Sequence, residues 1–250
     1  MLKGNRKSII LKTLDAKEFV KVTDLQKQLG VTEMTIRRDL KDMEEEGLLV
    51  RVHGGAMRNS QQQVVYTELE HDERKHTNED KKRKIAEKCA QMIQDEDIIF
   101  ISASTTNEYI YEYLQAENVR IVTNCLYIYF QYQKDSRFDS VLVGGKYDDK
   151  IESFLGAIAI DVISKINFTK AFVGTNGICH NNLSASNEEE GWLHRIVLDN
   201  AKERYVVCDS TKFHKDSYYN FYTCEKLSAV ISDADPDSDY SEIERYTKVL

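Results

Sequence analysis

The apolar positions of this chain change period near residue 58. Before that point the period is helical: Ile9, Ile10, Thr13 and Leu14 recur at helical spacing from Arg6 and predict a first helix ending near Lys17. Thr23-Asp24-Leu25-Gln26 has the Thr-x-x-Gln form of a capping box, which predicts a short second helix from Thr23 with Gly30 as its stop. Thr32 is placed to cap a third helix. Along it Ile36, Leu40 and Met43 recur at i, i+4 and i+7 as one inward stripe, and Gly47 is placed to end it in a left-handed cap. Leu48 to Ala56 reads as two short strands turning at Gly54-Gly55. Three helices and a hairpin of this size can enclose one small core.

The polar run Asn59 to Lys84, with Gln61-Gln62-Gln63 inside it, begins as a linker. Beyond it the pattern alternates. A helix around Lys81 to Gln94 (Ile85, Cys89, Ile93) precedes a strand at Ile98 to Ser102, a helix at Asn107 to Leu114 and a strand at Arg120 to Thr123. Short apolar runs follow at Ser140 to Val143, Ala171 to Val173, Tyr205 to Cys208 and Ala229 to Ile231, with helical candidates between several of them. Such alternation is expected of a mainly parallel sheet covered on both faces. The organisation read from the pattern is a small unit at 1–58, a linker at 59–80 and an α/β domain at 81–250. Pro236 lies in an acidic stretch and is expected in a solvated turn.

Composition sharpens this picture at three points. With 41% hydrophobic and 30% charged residues the chain is globular rather than disordered. The formal net charge of −8 argues at first against a nucleic-acid partner. Its distribution reverses that inference: residues 1–58 hold 12 Lys and Arg against 9 Asp and Glu, so a mildly basic head precedes a strongly acidic body. Five scattered cysteines without a Cys-x-x-Cys pair, and six dispersed histidines, suggest neither a disulfide framework nor a metal site, and no cofactor is implied. The opening apolar run stops at Lys12, and no later stretch approaches the ~20 apolar residues of a membrane span, so a cytoplasmic protein is expected.

With its stripe facing inward, the third helix points Met34, Arg38 and Lys41 away from the core, carries Thr35 and Arg37 on its flanks, and begins with Thr32 and Glu33. That face suits a DNA major groove, and Arg51 and His53 on the hairpin are positioned for a further contact. The spacing of Arg6, Ile10, Leu14, Thr32, Thr35-Ile36-Arg37-Arg38-Asp39-Leu40 and His53-Gly54-Gly55-Ala56 closely resembles the DeoR family of bacterial sugar-metabolism repressors. Similar elements continue with Thr105-Thr106, Thr123-Asn124, Gly144-Gly145, Gly156, Phe172-Val173-Gly174 and Asp209-Ser210-x-Lys212-Phe213. Within the family, His71 to Glu87 and Thr123 to Leu126 look most like the lactose phosphotransferase-system branch.

The resemblance implies a winged helix-turn-helix of α+β class followed by an α/β Rossmann-like, ribose-5-phosphate isomerase-like sensor domain. It implies duplex operator DNA bound by Thr32, Glu33, Met34, Thr35, Arg37, Arg38, Lys41, Arg51 and His53. It also implies a phosphorylated sugar held by Ser102, Ser104, Thr105, Thr106, Asn124, Gly144, Gly145, Asp209 and Lys212. The Ser102 to Thr106 loop joins a strand to a helix and offers hydroxyls and backbone N–H groups to an anion. Capping alone would also account for it, and turns alone would account for the glycine pairs. Gly174-x-x-Gly177 is a further candidate for the same cleft, and Asp209 with Lys212 could be a simple ion pair. Ser104 stands where the family has glycine, and the lost glycine obstructs close backbone approach. A sugar-phosphate isomerase is the rival reading, which the second part alone would allow. Residues 1–58 have no use in such an enzyme, the Glu188-Glu189-Glu190 run reads as a solvated helix start, and no nucleophile–base arrangement is evident, so no catalytic residue is assigned. A regulator that has lost its effector is a third possibility, kept open by Ser104.

One small reading head offers few base contacts, so a homo-oligomer, dimer or tetramer, is expected to read half-sites about one helical turn or a multiple apart. Sedimentation at micromolar concentration should give a mass above the monomer. A strictly monomeric mass with full operator affinity would contradict this.

Overall fold

A computed structural model describes residues 3–17, 19–45, 48–52, 54–57 and 71–250. The chain separates into two compact units, Met1–Val65 and Tyr66–Leu250.

In the first unit helix α1 (Lys3–Lys17) leads through strand β1 (Phe19–Lys21) into α2 (Val22–Leu29), α3 (Glu33–Glu45) and a hairpin of β2 (Val50–Val52) and β3 (Gly55–Met57). Ile10 and Leu14, Leu25 and Leu29, and the Ile36, Leu40, Met43 stripe close on one another, with Val20, Leu49 and Ala56 completing the core. Burial of these faces, more than helix propensity, holds helices this short. The third strand was not anticipated. β1 pairs antiparallel with β3, which is the middle strand of three.

This strand also corrects the expected capping box. Because β1 runs straight into α2, the helix starts at Val22 and has Lys21 at its N-cap with no side-chain cap bond. The Val22 N–H instead donates to the Gly54 carbonyl at 3.0 Å, so the hairpin turn satisfies the first N–H of the helix. At the other end Gly30 takes the left-handed conformation (φ 63°) and donates to the Gln26 carbonyl, as its position predicts. Thr32 accepts from the Thr35 N–H at 3.3 Å and starts α3. Gly47 lies outside the described residues. Gly55 belongs to β3 rather than to the turn, and its lack of a side chain is a packing requirement: a Cβ there would stand 2.1 Å from the Val20 carbonyl oxygen.

Arg6 of α1 donates through Nε and Nη2 to both carboxylate oxygens of Asp39 on α3, at 2.7 and 3.0 Å. Asp39 is 2% exposed, and hydrogen bonding to its carboxylate holds the Arg6 guanidinium above its ordinary pKa. A two-pronged bond of this kind fixes the rotation of α3 about its own axis as well as its position.

The second unit begins with α4 (His71–His76) and α5 (Glu79–Met92), so the part of the expected linker from residue 71 onward is structured. Then come β4 (Ile98–Ile101), a 3-10 turn (Asn107–Tyr109) opening into α6 (Ile110–Tyr113), β5 (Val119–Thr123), α7 (Leu126–Tyr132) and β6 (Phe138–Leu142). A small hairpin of β7 (Lys146–Asp148) and β8 (Ser153–Leu155) leads to α8 (Gly156–Ile163) and β9 (Phe168–Gly174). The chain continues through β10 (Gly177–Cys179), β11 (Asn182–Ala185), α9 (Glu188–Asp199), β12 (Ala201–Val207), β13 (Tyr219–Thr223), β14 (Ala229–Ile231) and α10 (Ser241–Glu244). Pro236 is exposed in a turn, as expected.

Six strands form one all-parallel sheet in the order β14-β12-β9-β4-β5-β6. Alternate residues feed two cores. Phe100, Val122 and Val206 pack on one face, while Ile99, Ile101, Ile121, Tyr205 and Val207 pack on the other. That two-sided burial is why the strands read as continuous apolar runs. β7, β8 and the antiparallel β10-β11-β13 sheet were missed, because Lys-Tyr-Asp, Ser-Phe-Leu, Gly-Ile-Cys, Asn-Leu-Ser-Ala and Tyr-Asn-Phe-Tyr-Thr present no run of aliphatic residues. From β4 the chain builds outward to β5 and β6 on one side and later to β9, β12 and β14 on the other. Strand order therefore reverses between β4 and β9, which opens a crevice beyond their carboxyl ends.

Gly55→Ala should lower the stability of the N-terminal unit by about 1–3 kcal/mol through overpacking against β1. Denaturant unfolding of the full chain followed by a probe in that unit checks this, and an unchanged transition would show that β1 yields without cost.

Candidate functional site

Two surfaces gather the chemistry anticipated from the sequence. On α3 the core stripe leaves Thr32, Glu33, Met34, Arg37, Arg38 and Lys41 exposed and Thr35 half-buried. Met34 is 74% exposed. Arg37 reaches back one turn, placing Nε 2.8 Å and Nη2 2.7 Å from Glu33 Oε1. Thr32 and Thr35 hold their hydroxyls 2.9 Å apart. On the hairpin the Arg51 N–H donates to Glu44 Oε1 at 2.9 Å, so the wing is tied to the last turn of α3. His53 lies outside the described residues.

The second surface is a cavity of about 270 Å³ at the β4–β9 reversal. Its floor is the carboxyl edge of three strands: Ser104, Thr105 and Thr106 after β4, Gly174 to Asn176 after β9, and Asp209, Thr211 and Lys212 after β12. Arg74 of α4 and Lys82 of α5 close it from the side, and Glu190 of α9 also reaches it. Asn107 sets this floor. Its Nδ2 donates to the carbonyls of Ser102 (3.0 Å) and Phe172 (3.1 Å), while the Gly174 N–H donates to Ser102 Oγ at 2.9 Å.

Lys82 is the most constrained cation. It is only 5% exposed, and its ammonium donates to Thr105 Oγ1 at 2.9 Å and to the Arg74 carbonyl. Burial pulls its pKa down to about 8, with Asp209 and Glu108 resisting and Lys212 and Arg74 assisting. Its neighbour Lys81 points the other way, to Ser210 Oγ (2.7 Å) and Asp235 (2.6 Å), and so pins the loop after β12. Lys75 pairs with buried Glu108 at 2.9 Å, which holds α4 against the turn that follows β4. The cavity thus presents three cations, a row of hydroxyls and the carboxylates Asp209 and Glu190. Such a set can neutralise an anion and accept hydrogen bonds from the hydroxyl groups of a small molecule.

Comparison with known proteins bears on both surfaces. Residues 6–62 match the DeoR-like helix-turn-helix domain, and residues 77–234 match the DeoR C terminal sensor domain. The lactose phosphotransferase system repressors of Streptococcus mutans (32% identity over 252 residues) and Staphylococcus epidermidis (34% over 253) align over the full length of both chains. The chain belongs to the DeoR family. Among solved structures, ribose 5-phosphate isomerase A from Neisseria gonorrhoeae is a distant likeness, with a TM-score of 0.37, 14% identity, and coverage of 53% of this chain and 52% of that one.

In this DeoR-family chain the cavity brings together Ser104, Thr105, Thr106, Asp209 and Lys212 from the residues anticipated. Ser102 is fully buried beneath it. Asn124, Gly144 and Gly145 lie elsewhere, for a topological reason: β5 and β6 stand on the far side of the reversal from β9 and β12. Asn124 Nδ2 donates to the Phe154 carbonyl at 3.1 Å, and Gly145 packs against the Leu155 carbonyl, where a Cβ would stand 2.5 Å away. Gly174 lines the cavity, whereas Gly177 lies against the Lys215 carbonyl. Asp209 Oδ1 accepts from the Thr211 N–H at 2.9 Å, which caps its own loop.

Ser104 Oγ accepts from the Thr106 N–H at 3.3 Å, and the glycine at 174 makes room for it, since a Cβ there would stand 3.2 Å from Ser104 Cβ. Of the acidic run only Glu190 reaches the cavity. Its N–H is capped by Asn187 at 2.8 Å, while Glu189 pairs with Lys146. His194 is a core residue, 2% exposed, whose pKa burial lowers to about 3. Lys82 and Arg74 were missed. Lys82 had a signal, since it sits three residues before Ile85 on the buried face of α5, where a lysine is out of place. Arg74 had none.

An anion bound beside Lys82 favours the ammonium, so above pH 8 binding must take up a proton. Affinity for a sugar phosphate, itself already dianionic there, should fall by up to about tenfold per pH unit above that point. Lys82→Arg should flatten this fall in calorimetric titrations. The same slope in both proteins would remove Lys82 from the anion's surroundings.

Proposed function

We propose that the protein is a transcriptional repressor of sugar-metabolism genes. Residues 1–58 bind operator DNA, residues 81–250 together with α4 bind a phosphorylated sugar, and the sugar lowers operator affinity in a homo-oligomer. The observation that carries the reading is the pairing, in one chain, of a helix-turn-helix with an exposed basic face and a separate polar cavity lined by Lys82, Lys212 and Arg74. The names of the full-length relatives, repressors of a lactose phosphotransferase system, agree with it. A phosphate lies between the cations, and Asp209, Glu190 and Asn176 receive the sugar hydroxyls. The protein acts as a regulator rather than an isomerase: an enzyme has no need of residues 6–62. No helix among the described residues is long and apolar enough to cross a membrane.

Sugar and DNA contact different side chains, so the effect is a coupling between two states and not competition. A coupling of ~1–3 kcal/mol lowers operator affinity about 5- to 150-fold, and operator weakens sugar binding by the same factor. Operator titrations across a panel of sugar phosphates should find one compound with this effect, and Lys212→Ala with Thr106→Val should abolish it while leaving ligand-free DNA binding intact. A response unchanged in that variant would move the effector out of the cavity. Arg37→Ala and Arg38→Ala should each reduce the log-log salt slope of DNA binding by about 0.9 for every phosphate that the side chain neutralises.

A further inference from the structure

We propose that α3 reads two neighbouring base pairs with its first turn: Met34 packs on the methyl group of a thymine, and Glu33 accepts from the N4 amino group of a cytosine. The inference rests on the DNA-binding reading above and specifies its partner. Four groups stand at the start of α3. Thr32 and Thr35 are engaged with one another, through the 2.9 Å hydroxyl contact and the Thr35 N–H that caps the helix, so their polar atoms serve the fold. Glu33 and Met34 remain.

Met34 lies on the face that Arg38 and Lys41 continue, opposite the Ile36, Leu40, Met43 stripe, and at 74% exposure it is an unbranched apolar side chain surrounded by charge. A side chain in that place meets base edges, not phosphates, and the thymine methyl is the apolar group that a major groove offers. Glu33 brings a negative charge to a surface that approaches phosphates, a cost that Arg37 offsets by donating to Oε1. The carboxylate still has acceptor capacity and no proton to donate. The base edges of the major groove present donors on cytosine N4 and adenine N6, and a carboxylate selects the cytosine, whereas an amide at the same place pairs with adenine.

The test selects bound sequences from a random duplex library with the full-length protein and with Met34→Ala and Glu33→Gln. The wild type should enrich a half-site with adjacent cytosine and thymine. Replacing that thymine by uracil, which removes only the methyl, should weaken wild-type binding about fourfold and leave Met34→Ala unaffected. Glu33→Gln should exchange the cytosine for adenine and keep the thymine. Equal wild-type affinity for thymine and uracil probes at every position, or one consensus shared by all three proteins, would overturn the assignment. No enriched sequence with the wild type would overturn the DNA-binding reading, and this assignment with it.

Discussion

The second unit is organised around the seam between β4 and β9. Parallel strands all end at one edge, so a sheet of this kind has one place where neighbouring connections leave in opposite directions and no loop covers the gap. That gap is held at a fixed width by the Asn107 amide, which bridges the carbonyls of Ser102 and Phe172, and by Ser102 Oγ under the Gly174 N–H. Both groups are buried, where an unmade hydrogen bond is expensive, so these bonds resist any widening of the floor. Every cavity residue is placed relative to this floor. Three loops descend from it, and α4 and α5 are fastened across it by Lys75, Lys81 and Lys82.

Lysines 81 and 82 divide two tasks that adjacent positions on one helix permit. Lys81 faces the C-terminal loops, where Asp235 and Asp233 keep it charged, its pKa above the ordinary value. Lys82 faces inward, where burial weakens its hold on the proton. One stabilises the loop that carries Asp209 and Lys212; the other keeps its charge at the cavity against the cost of burial. Ser104 belongs to the same economy of space. Its side chain occupies room left by Gly174 and holds the Thr106 N–H, so the departure from the family's glycine is absorbed locally and the cavity persists.

In the first unit the equivalent constraint is the Arg6–Asp39 bond. The reading face of α3 is useful only if its rotation is set, and a two-pronged ion pair to α1 sets it from beneath while Ile36, Leu40 and Met43 set it by packing. Charge is partitioned accordingly: a mildly basic head, and an acidic body that places Arg74, Lys82 and Lys212 at the cavity.

Much of this was legible in the chain. Periodicity located α1, α3, α5 and the six strands of the parallel sheet, because strands buried on both faces leave unbroken apolar runs and helices buried on one leave a repeating stripe. The spacing around Thr35 to Leu40 pointed to the reading helix, since residues exposed on a helix follow directly from those that are buried. Sequence also placed Ser104, Thr105, Thr106, Asp209 and Lys212 at strand ends, where a parallel sheet puts its ligands. Tertiary structure decided the rest. Which strand ends converge depends on strand order, and order left Asn124, Gly144 and Gly145 off the cavity while bringing Asn176 to it; Glu190 reaches it from α9. The start of α2 was decided by a carbonyl from Gly54, thirty-odd residues away in sequence, rather than by Thr23. Arg74 came to the cavity because Glu108 and Lys82 hold α4 there, and contacts between residues so far apart in the chain leave no local pattern to read.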